Sequence, residues 1–324
     1  MRRGMRWLAL WTLSLAFSGC VIFEPEFSRN PHSARVVSDD IARFWNAFDA
    51  AYESGVTADA RPGIYQRLYL DPGTNGLDEF VERRIESAAR LATTVNAARM
   101  YYESIRTTTL GATSSETMAD VRGLFQSLLV RYGGARFPDV HFLVGRLSTG
   151  GTLSDVGIMI GVEMFSRGAD TPVDGLTEWA QAVTRGSEYI PAIVAHELIH
   201  AQQKHPAQDG DNLLAFAITE GMADFVGEML SGLHANPHVH TYANPVEREL
   251  WEEFEADMSG TDFSGWLFNV GESSDERPAD LGYYFGYRIS EAYYAQASDK
   301  ERALKEMFEV SDYEHFLARS GYDP

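Results

Sequence analysis

Apolar residues recur at helical spacing over most of the chain. Ile41, Phe44, Trp45, Phe48 and Tyr52 share one side of a helix that Ser38-Asp39-Asp40 can cap and Gly55 ends. After the turn Asp71-Pro72-Gly73-Thr74-Asn75-Gly76, a second stripe carries Leu77, Phe80, Val81, Ile85, Ala88 and Leu91. A third carries Met118, Val121, Leu124, Phe125 and Leu128, from the capping box Thr113-x-x-Glu116 to Gly133-Gly134. Between residues 138 and 165 the period shortens. Val140 to Gly145 and Val156 to Val162 are apolar and partly β-branched, with Ser148-Thr149-Gly150-Gly151-Thr152 between them, which predicts a small sheet with a loop. Helical spacing returns around Ile193, Val194, Leu198 and Ile199, and again from Leu213 to Leu230, where Asp211 or Asn212 caps the start and Gly232 the end. Ser231 to Arg277 reads as a long connection with some helix near Pro245 to Met258, its His234, His238 and His240 in solvent. A last helix opens near Asp280 and runs to Ala297. The pattern predicts an α+β fold, mostly α.

The first residues change the picture. Three arginines precede an apolar run from Trp7 to Phe17, followed by Ser18-Gly19-Cys20. A basic start, a short apolar core and small residues describe a secretory signal peptide, too short to span a bilayer. Cys20 is the chain's one cysteine, so no intrachain disulfide can form. Phe17-Ser18-Gly19-Cys20 is similar to a bacterial lipobox. That resemblance implies cleavage before Cys20, lipid attachment to it, and anchoring to the envelope membrane. Val21 rather than Asp after the cysteine implies the outer membrane, facing the periplasm. The expected organisation is a leader over 1–19, a lipidated tether over 20–37, a helical region over 38–135 and a catalytic region over 136–324, with one continuous domain over the last two as the alternative.

The chain holds 27 basic and 47 acidic residues, net −20. Without the three leader arginines the balance falls to about −23. Such a surface repels phosphates, which argues against a nucleic-acid partner, and it disfavours anionic substrates at low salt.

The chemistry concentrates in His196-Glu197-x-x-His200. Two histidines four apart share a helix face, so both rings can address one ion. Glu197 sits about 100° round the helix, an offset that suits reaching a metal-held water rather than the metal. Roughly 0.02 chance occurrences of this motif are expected in such a composition. A third ligand comes from elsewhere. Glu220 and Asp224 are four apart on the next helix, where like charges repel unless a cation or an imidazole N–H relieves them. Glu220 is the expected third ligand, and Asp224 the acceptor for the free ring N–H of His196. A solvated acidic face continuing through Glu228 is the competing reading. His141 reads as an ordinary strand histidine, and His205 falls off the ligand face.

With Glu220-x-x-x-Asp224 nineteen residues beyond it, the motif resembles the gluzincin pattern of thermolysin-like zinc peptidases. Tyr69-Leu70-Asp71-Pro72-Gly73, Gly157-Ile158-Met159-Ile160-Gly161 and Gly282-Tyr283-Tyr284-Phe285-Gly286-Tyr287 extend the similarity to a group of bacterial predicted zinc-dependent proteases, often lipoproteins. The resemblance implies a zincin-like core with the sheet beside the active-site helix. It also implies one Zn2+ per chain on His196, His200 and Glu220, Glu197 as base, and a peptide or protein substrate. Tyr283 or Tyr287 is the implied donor to the oxyanion. In zincins a sheet edge binds substrate backbone as an added strand, and Gly157 and Gly161 would permit that approach. The alternative expectation is a non-catalytic zincin-like envelope lipoprotein that acts in assembly or partner binding.

Overall fold

The structure, a computed structural model, describes residues 27–269 and 277–324. The leader and Cys20 lie outside the described residues. Of the first apolar stripe, Ile41, Phe44, Trp45 and Phe48 lie on the helix Asp39–Ala51 and are buried, while Tyr52 caps its end and is partly buried. Phe44 is the stripe's centre, with the rings of Trp45, Tyr65, Tyr69 and Tyr102 at 5.0, 5.9, 5.4 and 5.8 Å. Each such ring contributes about 1.5–3 kcal/mol when fully buried. Buried phenols also need acceptors. Tyr69 donates to the Val144 carbonyl at 2.6 Å, Tyr102 to Gly145 at 2.9 Å, and Tyr101 to Glu163 at 2.6 Å. These bonds tie the N-terminal helices to the residues just after the sheet, and one hydrophobic cluster runs through both regions.

Two expected caps differ in detail. Ser38 makes no capping bond; Asp40 is instead buried against Thr74, whose hydroxyl donates to it at 2.6 Å. The helix Ser115–Arg131 is capped by Ser114 rather than Thr113.

The sheet has four strands in the order β1-β2-β4-β3: β1 (Val36–Val37), β2 (Val140–Leu143), β3 (Gly151–Ser154) and β4 (Gly157–Gly161). β2 runs parallel to β1 and β4, and β3 antiparallel to β4. Two of these strands depart from the sequence reading. Val36–Val37, assigned to the tether, pairs with β2. Gly151–Ser154, assigned partly to a loop, is a strand whose glycine looked like turn chemistry. The turn falls instead at Asp155-Val156, where Gly157 has φ +136° and a Cβ would sit 2.4 Å from the Asp139 carbonyl oxygen.

Register sorts the faces. Gly151, Ile160 and Phe142 are paired neighbours and share one face; Thr152, Met159 and His141 share the other. Gly76 packs on His141 and Glu197 packs on Gly151. The sheet is therefore covered by the helix Asn75–Phe80 on one side and by the helix Ile190–His200 on the other. No helix among the described residues is long and apolar enough to cross a membrane.

Candidate metal centre

Pro191 opens the helix Ile190–His200, where its missing N–H costs little. The helix Leu213–Ser231 starts at Asn212, whose side chain accepts from Ala215 N, and ends at Gly232 in the left-handed conformation. The two helices lie close enough that a Cβ on Gly227 would meet His196 N at 3.2 Å. A third helix, Gly282–Gln296, presses on the second almost backbone to backbone. A Cβ on Gly286 would lie 1.6 Å from the Ala217 carbonyl oxygen, and one on Gly221 2.1 Å from Tyr287 N.

This packing brings His196, His200 and Glu220 to one point. His196 Nε2 lies 3.0 Å from His200 Nε2 and 3.5 Å from Glu220 Oε2, and His200 Nε2 lies 3.3 Å from that oxygen. Ligand atoms tetrahedrally arranged on zinc at 2.0–2.1 Å are about 3.3–3.4 Å apart. Among the described residues no other three such side chains converge in this way.

The hydrogen bonds behind the cluster fix its chemistry. His196 Nδ1 is 2.8 Å from Asp224 Oδ1, an acceptor, so this nitrogen carries a proton. His200 Nδ1 is 2.8 Å from Gln203 Oε1, and Gln203 Nε2 donates to the Thr219 carbonyl, which fixes the amide's orientation. With Nδ1–H engaged in this way, the neutral form of each ring points its Nε2 lone pair at the other ring and at a carboxylate, so a proton or a metal ion must sit between them. Three acceptors facing one another call for a cation. The electrostatics agree. Burial opposes charge on His196 and His200, yet the Asp224 and Glu220 carboxylates hold His196 well above the imidazole range, and Glu220 raises His200. Burial raises Glu220 too, but the two rings bring it well below the carboxylate range. The donor set fits zinc.

Glu197 is buried beside this point. Burial pushes its carboxyl above the ordinary range, against the pull of the two rings. A Cβ on Gly151 would meet Glu197 Oε1 at 2.7 Å, so the glycine that makes room for this side chain is Gly151 of β3. Gly157 and Gly161 serve the sheet's own turns: the space at Gly161 is taken by the Thr149 carbonyl at 2.9 Å. The tyrosines separate. Tyr283 lies against His196, ring centres 6.3 Å apart, with its hydroxyl toward Glu220. Tyr287 does not join the cluster; its hydroxyl donates to Glu228 at 2.9 Å and its ring packs among Phe225, His234 and His240. Those histidines, expected in solvent, are at least half-buried, and burial lowers His240 to about 3 and His238 to about 4.

A family model described as "Predicted Zn-dependent protease (DUF2268)" matches residues 175–315. Over that stretch the chain is similar to predicted zinc proteases. The stretch is under half of the chain, yet it contains the whole cluster, Glu197, Asp224 and Tyr283. Neither the curated proteins nor the solved structures provide a match.

Three contributors escaped the sequence reading. Gln203 orients His200; Asn236 donates to Asp224 Oδ2 at 2.8 Å; Gly151 makes room for Glu197. His200-x-x-Gln203 spacing was a usable signal for the first. The other two depend on contacts distant in sequence.

Proposed function

We propose that this chain is a zinc-dependent peptidase of the bacterial cell envelope. His196, His200 and Glu220 would hold the metal, and Asp224 and Gln203 would keep both rings in the ligating tautomer. When bound, zinc supplies Lewis acidity, which polarises a carbonyl and acidifies water. Glu197 takes the proton of the attacking water and passes it to the leaving amine nitrogen, a task that suits a buried carboxyl with a raised pKa. Tyr283 donates to the oxygen of the tetrahedral carbon. The edge strand β3, beside Glu197, orients the peptide by backbone hydrogen bonds. The observation that carries the reading is the convergence of two imidazole nitrogens and one carboxylate beside a buried glutamate. The envelope location rests on the leader and Cys20.

The test separates binding from chemistry. Glu197→Gln is expected to keep one zinc per chain and to lose peptide hydrolysis by at least about a hundredfold. His196→Ala and Glu220→Ala should lose tight zinc binding. Full activity in the first variant, or unchanged metal content in the other two, refutes the assignment.

A further inference from the structure

From Leu213 to Gly227 the helix that carries Glu220 is buried on every side but one. Phe216 and Glu220 are the two residues of that stretch still open to solvent. They are four apart, so a single stripe carries the metal-facing carboxylate and, one turn before it, a phenyl ring. Side chains on a helix lean toward its N-terminus, which sets Glu220 over the turn that holds Phe216.

Two more rings stand on that turn. Phe263 lies 4.9 Å from Phe216 and Phe268 5.8 Å, centre to centre, and those two are 6.3 Å apart. Phe216 and Phe263 are half-buried. Phe268 is 57% exposed, and among the described residues it is the one Phe, Tyr or Trp left in the open. Its backbone is left-handed, φ +56°, which is uncommon for a bulky residue. Two hydrogen bonds hold that conformation: Phe268 N donates to Asp280 Oδ1 at 2.8 Å, and Asp280 N donates to Asn269 Oδ1 at 2.9 Å. Asp280 lies three residues before Tyr283, within reach of the Glu220 and Asp224 charges. The ring is therefore fixed in the open beside the metal point.

The chain's own residues 270–276 are a poor cover for three rings. Val270-Gly271-Glu272-Ser273-Ser274-Asp275-Glu276 offers one apolar side chain. Its acids, with Asp262, also oppose an anionic membrane surface. Continuity of the stripe with Glu220 points to the substrate. Resting on the peptidase reading, we infer that Phe216, Phe263 and Phe268 form a subsite for one large apolar side chain of the peptide, aromatic or long aliphatic. A helical turn advances about 5.4 Å and an extended peptide about 3.3 Å per residue, so that side chain lies within about two residues of the cleaved bond.

The experiment begins with binding, so that it does not depend on turnover. The zinc-loaded Glu197→Gln chain is titrated with a fluorescent Gly-Ala peptide carrying one Phe, and with the same peptide carrying Ala in its place. Such a peptide can slide until its ring finds the subsite. The Phe peptide is expected to bind about tenfold more tightly, and the advantage should persist in about 0.5 M salt, which screens charge but not apolar contact. Adding Phe268→Ala should cut the advantage to about threefold or less, and Phe268→Leu should keep most of it. In the wild type, cleavage mapped by mass spectrometry should fall within two residues of the Phe. Equal binding of the two peptides, an advantage that Phe268→Ala leaves untouched, or cleavage mapped farther from the Phe overturns the inference. So does a dimer in sedimentation that Phe268→Ala dissolves, which would give the rings to a second copy. If the Phe peptide is preferred through Phe268 but the wild type cleaves nothing, the peptidase reading fails and the subsite stands. Cleavage without that preference gives the reverse.

Discussion

Glu163 is the clearest single-residue lever on stability. It is fully buried, and its carboxylate accepts from Gly145 N at 2.8 Å and Leu147 N at 3.2 Å. Burial nevertheless raises it from 4.5 to about 7. Below about pH 4.5 both folded and unfolded chains hold this proton and its stabilisation is complete. As the pH climbs the unfolded chain releases the proton first, so folding loses about 3 kcal/mol by pH 7 and no more above it. Urea melts at pH 5 and 8 should show this loss in the wild type and a flatter dependence in Glu163→Gln; parallel curves would mean that Glu163 does not titrate. At this scale the sequence was legible wherever function follows helical spacing. His196, His200, Glu220 and Asp224 each lie four residues from a partner, and four residues is one turn. Gly151 and Asn236 carry no such mark, because the side chains they serve belong to other elements.

Among the elements, the close crossing of Leu213–Ser231 and Gly282–Gln296 decides whether Glu220 and Tyr283 reach the metal point. Gly286→Ala adds a methyl where 1.6 Å separates it from a backbone oxygen, so the helices must part. The expected cost is about 3 kcal/mol or more, with weakened zinc affinity as a second effect. A zinc titration and a denaturation curve on the same sample check both, and wild-type values in each would show that the crossing relaxes freely. The helices themselves were readable from caps and apolar stripes. The strands were less so: Gly151 resembles a turn residue until β4 is alongside, and two valines without a visible partner do not announce a strand. The segment around His234 misled because its polar composition suggests water, whereas Tyr287 and Glu228 from two helices close over it.

For the molecule as a whole, metal removal should cost stability. Zinc that binds only the folded chain stabilises it by about 2.7 kcal/mol at a hundredfold excess over Kd. A chelator should therefore lower Tm by several degrees, and zinc readdition should restore it; the same Tm with and without chelator would place the ion outside the fold's stability. Cys20 and the charge balance were legible as composition but say little about the interior. β3 stands at the open margin of the sheet beside Glu197. A margin that accepts extended backbone does not distinguish a foreign chain from an unfolded sibling. Under the proposed peptidase activity, refolding at high concentration should produce self-clipped fragments whose yield grows with the square of concentration, and the Glu197→Gln protein should refold intact, so the chain's survival would depend on folding faster than it meets its neighbours.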